Sequence, residues 1–144
     1  VCTLSEDGFF AHLEGAISNS EVLYCERFEK RISMQGQEVY RFAVNKIPEV
    51  TQELLDQNGV HKDDVDFFIF HQANKRIIRS IASKLGVPIE KCFMDLEEYG
   101  NTSAASVAIA MADMRDKGLL KPGMLAVSVG FGAGLTYGGM LFRA

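Results

Sequence analysis

The sequence predicts an α/β fold, one mixed sheet flanked by helices, and three observations carry that prediction. A helical apolar stripe beginning at Gly36 gives way to a short apolar strand, Phe67–Phe70, and the helix-to-strand order returns twice further along. Glycines 59, 86 and 118 close the helical stretches at intervals of about thirty residues, the size of a βα unit. The last strand-like run, Leu135–Arg143, follows Met124–Gly130 across Gly132–Gly134. That connection is too short for a parallel crossover, so the final pair is antiparallel.

Taken in order, Val1–Leu4 reads as a short strand stopped by the turn pair Asp7-Gly8. Residues 9–35 hold neither the helical nor the strand period for long, and read as a loop-rich leading segment with a short strand near Arg31–Met34. Residues 36–144 are the α/β core. Val39, Tyr40, Ala43, Val44, Ile47, Val50, Leu54 and Leu55 recur at three- and four-residue steps along one helix. Pro48 falls inside it and predicts a kink or break, and Gly59 suits the left-handed cap. The next helix spans about Asn74 to Leu85, ended by Gly86 with Pro88 beyond. Cys92–Met94 reads as a short strand. Thr102–Lys117 reads as an alanine-rich helix whose Ala104, Ala105, Ala108, Ala110 and Ala112 suit close packing of a buried element. Lys121-Pro122-Gly123 then turns the chain into the buried strand Met124–Gly130.

Bulk properties exclude several function classes. With 144 residues, 47% hydrophobic and 24% charged, the chain is an ordinary globular domain or a compact fragment, and its start at Val1 reads as processing or truncation. A net charge of −4 argues against a nucleic-acid partner. No apolar run reaches the roughly 18–20 residues that span a bilayer, so no membrane role is expected. Cys2, Cys25 and Cys92 are odd in number and irregular in spacing, which fits reduced thiols in the cytoplasm rather than disulfides. His12, His61 and His71 lack metal-ligand spacing, and no metal is expected.

The chemistry concentrates where the apolar strand stops. Phe67–Phe70 runs into His71-Gln72-Ala73-Asn74, which places an imidazole at the carboxyl end of a sheet. A histidine at a strand end is in general a hydrogen-bonded structural residue, but the polar neighbours Gln72 and Asn74 depart from a packing position. Asn101 lies at the equivalent place in the next unit. An imidazole N–H and a carboxamide N–H aimed at one point form a donor pair for a carbonyl oxygen that gains charge. Asn101 also suits a helix N-cap, and the two readings are compatible. Gly130-Phe131-Gly132-Ala133-Gly134 lacks the lysine and following helix of a phosphate loop; it is either a tight hairpin or backbone offering an N–H to a reacting group. On the helix after His71, Lys75, Arg76, Arg79 and Lys84 oppose an apolar face, and no acidic residue occurs from Phe67 to Ile89. Lys75 and Arg76 at the amino end oppose the helix dipole, which points to an anionic ligand or acidic protein, with a merely solvated face as the alternative.

Three of these stretches together resemble one family. His71-Gln72-Ala73-Asn74-Lys75-Arg76-Ile77-Ile78, Tyr99-Gly100-Asn101-Thr102-Ser103-Ala104-Ala105-Ser106 and Gly130-Phe131-Gly132-Ala133-Gly134-Leu135-Thr136-Tyr137-Gly138 resemble β-ketoacyl-acyl-carrier-protein synthase III, the initiating condensing enzyme of bacterial fatty-acid synthesis. The likeness is strong from about Asp66 to Arg143 and faint before Arg31. It implies the thiolase-like fold, two similar halves each built on a five-stranded mixed sheet, with this chain as the carboxyl-terminal half. In the family a cysteine of the first half takes an acyl group from acyl-CoA. Malonyl-carrier-protein then loses carbon dioxide, and its carbanion attacks the acyl-cysteine.

The resemblance further implies that His71 and Asn101 hold the malonyl thioester oxygen and that the backbone N–H of Ala133 serves the other oxyanion hole. Gly36 and Asn74 would lie along the pantetheine arm, while Arg76 and Lys84, with Lys75 and Arg79 on the same face, would meet the acidic carrier protein. None of Cys2, Cys25 and Cys92 sits in the nucleophile's motif, so the isolated chain is expected to be inactive. The substrates implied are acyl-CoA and malonyl-carrier-protein, with no covalently bound cofactor. The partners implied are the carrier protein, the amino-terminal half and a second copy in a homodimer. The alternative is a stand-alone module that binds carrier protein or CoA without catalysis.

Overall fold

Two adjacent apolar strands set the architecture. The computed structural model describes residues 9–17, 19–25 and 31–144, and Cys2, the strand expected at Val1–Leu4 and the Asp7-Gly8 turn lie outside them. β4 (Phe67–Phe70) pairs in parallel with β5 (Leu125–Gly132), and β5 pairs antiparallel with β6 (Thr136–Arg143). Along β4, Phe68 and Phe70 turn to one face and Ile69 to the other. The first face is covered by α1 (Gly36–Gln57) and α2 (Lys75–Leu85), through Ala43, Ile47, Val50, Ile78 and Ile81. The second is covered by α4 (Ser106–Asp116), through Ala110 and Met114. A strand buried on both faces reads as a continuous apolar run, which is why Phe67–Phe70 shows no alternation.

The mixed α/β sheet is as expected, and three details differ. β1 (Phe9–Ala16), within the segment read as loop-rich, pairs antiparallel with β6 and completes the order β1-β6-β5-β4. After Phe9 and Phe10 its residues, Ala11-His12-Leu13-Glu14-Gly15-Ala16, carry little strand propensity, and pairing with β6 supplies what local preference does not. A separate hairpin joins β2 (Leu23–Cys25) to β3 (Ile32–Met34), the latter within the short strand expected near Arg31–Met34. The fifth strand shrinks to one parallel bridge, Phe68 with Cys92, and Phe93 N–H donates to Phe68 C=O at 3.1 Å. A 3₁₀ turn at Ile89–Lys91 and the one-turn helix α3 (Leu96–Tyr99) leave too little chain between them for a longer strand.

Pro48 does not break α1, which runs unbroken from Gly36 to Gln57. A mid-helix proline costs ~3 kcal/mol. Fully buried Ile47, Val50, Leu54 and Leu55 offset that, at about 1.5–3 kcal/mol for each large side chain. α4 begins later than expected, after a 3₁₀ turn at Ser103–Ala105. Of its alanine-rich stretch only Ala110 is buried; Ala104, Ala105, Ala108 and Ala112 are exposed, because a helix on one sheet face buries a single stripe.

Candidate functional site

His71 continues β4 by one residue, its N–H donating to Val129 C=O at 2.8 Å. Strand alternation puts it on the side of Ile69, toward α4, and Ser106 is the first residue of that helix. Ser106 Oγ lies 2.5 Å from His71 Nδ1 and accepts from Gln72 N–H at 3.2 Å. The Phe131 ring stands edge-on to the imidazole, with centroids 5.1 Å apart at 80°. Desolvation in this partly buried position holds the imidazole pKa below its ordinary 6.5, favouring the neutral ring.

Asn101 follows Gly100, whose φ of 67° and ψ of −155° suit glycine. Its Oδ1 accepts from Ser103 N–H at 3.0 Å, so the cap-like reading holds in the form of an Asx turn. With the oxygen engaged there, the carboxamide nitrogen is the donor end. Ala133 sits in the connection from β5 to β6, where Gly132 pairs with Thr136 in a tight hairpin. Its C=O accepts from Thr136 Oγ1 at 3.0 Å, and its N–H makes no hydrogen bond among the described residues.

His71, Asn101 and Ala133 line one cavity of about 670 Å³, bordered also by Ser106 and Phe131. A second, of about 710 Å³, is lined by Gly36, Asn74, Arg76 and Arg41. The two adjoin at Met34, Val39, Ala73 and Asn101, which border both. The residues expected to hold a reacting oxygen and those expected beside a long substrate arm therefore fall in adjoining spaces.

The basic face of α2 is less uniform than its spacing suggested. Lys75 is paired with Glu97 of α3, and Lys84 donates to Asn45 Oδ1 on α1, so these two cations are held within the fold. Arg76 and Arg79 are exposed and make no ion pair among the described residues. Asn74 caps α2, its Oδ1 accepting from Arg76 N–H at 2.8 Å, while also facing the second cavity.

Gln72, whose polarity favoured a functional reading of the strand end, is a structural tie. It is fully buried, donates to Phe70 C=O at 2.7 Å and Phe93 C=O at 3.2 Å, and accepts from Asp95 N–H at 3.2 Å. Ser106, Phe131 and Arg41 were not singled out from sequence as site residues. The available signal for Ser106 was a hydroxyl residue on the buried stripe of α4. Cys92 is buried, and desolvation, with Glu90 adding to it, pushes its thiol up to about 12, which removes it as a nucleophile at neutral pH. Cys25 is exposed and borders the first cavity. Among the described residues no cluster of three or more His, Cys, Asp or Glu side chains is placed to hold a metal ion.

The chain and its fold have counterparts among known proteins. The family profile described as "3-Oxoacyl-[acyl-carrier-protein (ACP)] synthase III C terminal" matches residues 55–144. A β-ketoacyl-acyl-carrier-protein synthase III of Oleidesulfovibrio alaskensis is 47% identical over 112 residues, 78% of this chain and 34% of that protein. One from Acaryochloris marina is 44% identical over 131 residues, 91% of this chain and 38% of that protein. The crystal structure of 3-oxoacyl-acyl-carrier-protein synthase III from Aquifex aeolicus superposes with a TM-score of 0.92 at 39% identity, covering 99% of this chain and 47% of the other. The chain thus spans between about a third and a half of the length of these relatives. With a thiolase-like α/β fold, and with the profile matching from the last turn of α1 through β6, the chain belongs to the carboxyl-terminal domain family of 3-oxoacyl-acyl-carrier-protein synthase III.

Proposed function

We propose that this chain is the carboxyl-terminal half of a β-ketoacyl-acyl-carrier-protein synthase III and supplies the groups that drive decarboxylation and receive developing negative charge. The observation that carries the reading is that His71, Asn101 and Ala133 line one cavity. A malonyl thioester enters along the adjoining space past Gly36 and Asn74. As its C–C bond to the carboxylate breaks and carbon dioxide leaves, the electron pair moves onto the thioester oxygen. The N–H of a neutral His71 and the carboxamide N–H of Asn101 donate to that oxygen, stabilising charge that the ground state lacks. The carbanion then attacks the acyl carbonyl held on a cysteine of the amino-terminal half. The new oxyanion meets the unbonded N–H of Ala133, and collapse of the tetrahedral intermediate expels the thiolate.

The parent enzyme is cytoplasmic and homodimeric in this reading, and takes acyl-CoA and malonyl-carrier-protein without a covalently bound cofactor. Carrier protein docks on exposed Arg76 and Arg79, with Lys75 and Lys84 adding to the local positive potential while held by Glu97 and Asn45. The exposed alanines of α4 present a flat surface suited to packing against the amino-terminal half. The test is reconstitution: the chain alone shows no condensation, and co-production with the amino-terminal half restores it. Robust turnover by the chain alone overturns the reading.

A second reading, a module that binds carrier protein or CoA without catalysis, draws on Arg41 and Arg76 lining the second cavity. Salt-sensitive carrier-protein binding by the chain alone, lost on Arg76→Glu, together with no condensation after co-production with the amino-terminal half, favours it. No binding at low salt rules it out.

A further inference from the structure

We infer that Ser106 is a positioning residue that fixes the neutral His71 imidazole as the tautomer with its proton on Nε2. Ser106 Oγ touches two groups, His71 Nδ1 at 2.5 Å and Gln72 N–H at 3.2 Å. A hydroxyl has one proton to give and two lone pairs to accept with. The Gln72 amide can only donate, so one lone pair is committed there.

Two arrangements remain for the contact with Nδ1. If Nδ1 carried the proton, both neighbours would donate into Oγ and the hydroxyl proton would need a third partner. Ser106 is 2% exposed, and its hydroxyl has no other partner among the described residues. That arrangement strands a buried donor. If the hydroxyl donates to Nδ1 instead, all three groups are satisfied and the ring proton resides on Nε2. The edge-on Phe131 ring at 5.1 Å restricts rotation of the imidazole, and burial favours the neutral ring in which a tautomer choice exists.

The consequence for chemistry is direct. A neutral imidazole donates from one nitrogen only, and Ser106 sets which. With Nδ1 occupied, Nε2–H is the donor left for a ligand in the cavity. The inference deepens the proposed function and rests on it only for the use made of that donor; the tautomer itself is measurable without turnover.

The test is long-range proton–nitrogen correlation NMR on the chain labelled with nitrogen-15 histidine near neutral pH, the His71 signals assigned by their loss in His71→Gln. The expected spectrum shows a pyridine-type Nδ1 and a pyrrole-type Nε2 for His71. A pyrrole-type Nδ1 overturns the inference, and because this is read on the unaltered chain it holds whether or not any variant folds. In Ser106→Ala the two nitrogen shifts are expected to move toward each other as the tautomers mix, and Ser106→Thr, which keeps the hydroxyl, restores the original pattern. A folded Ser106→Ala chain with an unchanged spectrum also overturns it. Should the Nε2–H tautomer be found while His71→Ala leaves decarboxylation untouched, the proposed function fails and the role of Ser106 stands.

Discussion

At His71 the imidazole gives up part of its hydration beyond β4, and the neutral form gains. Its pKa lies below 6.5 through desolvation, so between the native value and 6.5 the native state binds fewer protons than the unfolded chain. Stability is therefore present above 6.5 and lost as pH falls through that window. His71→Gln is expected to flatten this acid-side slope in urea unfolding; parallel profiles for the two proteins would refute the assignment. Asp95 shows the opposite sign. It is 5% exposed, both carboxylate oxygens lack a hydrogen bond, and desolvation, reinforced by Asp113, raises its pKa above 3.8 against the opposing charge of Lys117. The native state then holds the proton more tightly, so stability is full below 3.8 and declines as pH rises through the raised value. Asp95→Asn is expected to stabilise the chain by about 1–3 kcal/mol near neutral pH, a gain that vanishes in acid. A loss of stability at neutral pH would show that the carboxylate has a partner. Among single residues, the meeting of His71 and Asn101 at one cavity was legible because His71 ends the apolar run Phe67–Phe70 and Asn101 stands at the equivalent place in the next unit. Ser106 was not: a serine among alanines looks like helix filler until the β4 terminus is set against it.

Elements were legible where their limits are local. Asn74 opens α2 and Gly86 closes it in the left-handed conformation, with φ of 65°, and both signals stand in the sequence. Because the Asn74 carboxamide bonds Arg76 N–H, Asn74→Ala is expected to cost about 1 kcal/mol of stability and Asn74→Ser a small part of that. Equal losses in thermal unfolding would mean the cap bond contributes little. If Asn74→Ser keeps stability but weakens binding of a pantetheine thioester, capping and ligand contact are separated at one residue. β1 was not legible, since its place depends on β6, more than a hundred positions along the chain. Nor was the continuity of α1 through Pro48, which rests on core contacts to β5 and β6 that the helix's own sequence does not reveal. The reduction of the fifth strand to one bridge likewise depends on the turns either side of Cys92.

Across the whole molecule, apolar surface left in the open is the feature to explain. Ile32 is 73% exposed and Met34 58%, both on the hairpin that borders the two cavities, and Ile17 is 45% exposed. Side chains of this kind gathered near a candidate site mark a surface that packs against another. The isolated chain is expected to self-associate, and Ile32→Lys to shift it toward monomer in sedimentation velocity. A single monomeric boundary for the unaltered chain at high concentration would contradict this.

The central claim is that two side chains from neighbouring units hold one thioester oxygen. It is tested most directly by measuring malonyl-carrier-protein decarboxylation and acyl transfer from acyl-CoA separately in the reunited halves, for His71→Ala and Asn101→Ala. The account predicts that each change lowers decarboxylation by roughly 10²–10³-fold while acyl transfer stays near its starting rate. Decarboxylation at the original rate in either variant, or an equal fall in both steps, would contradict it.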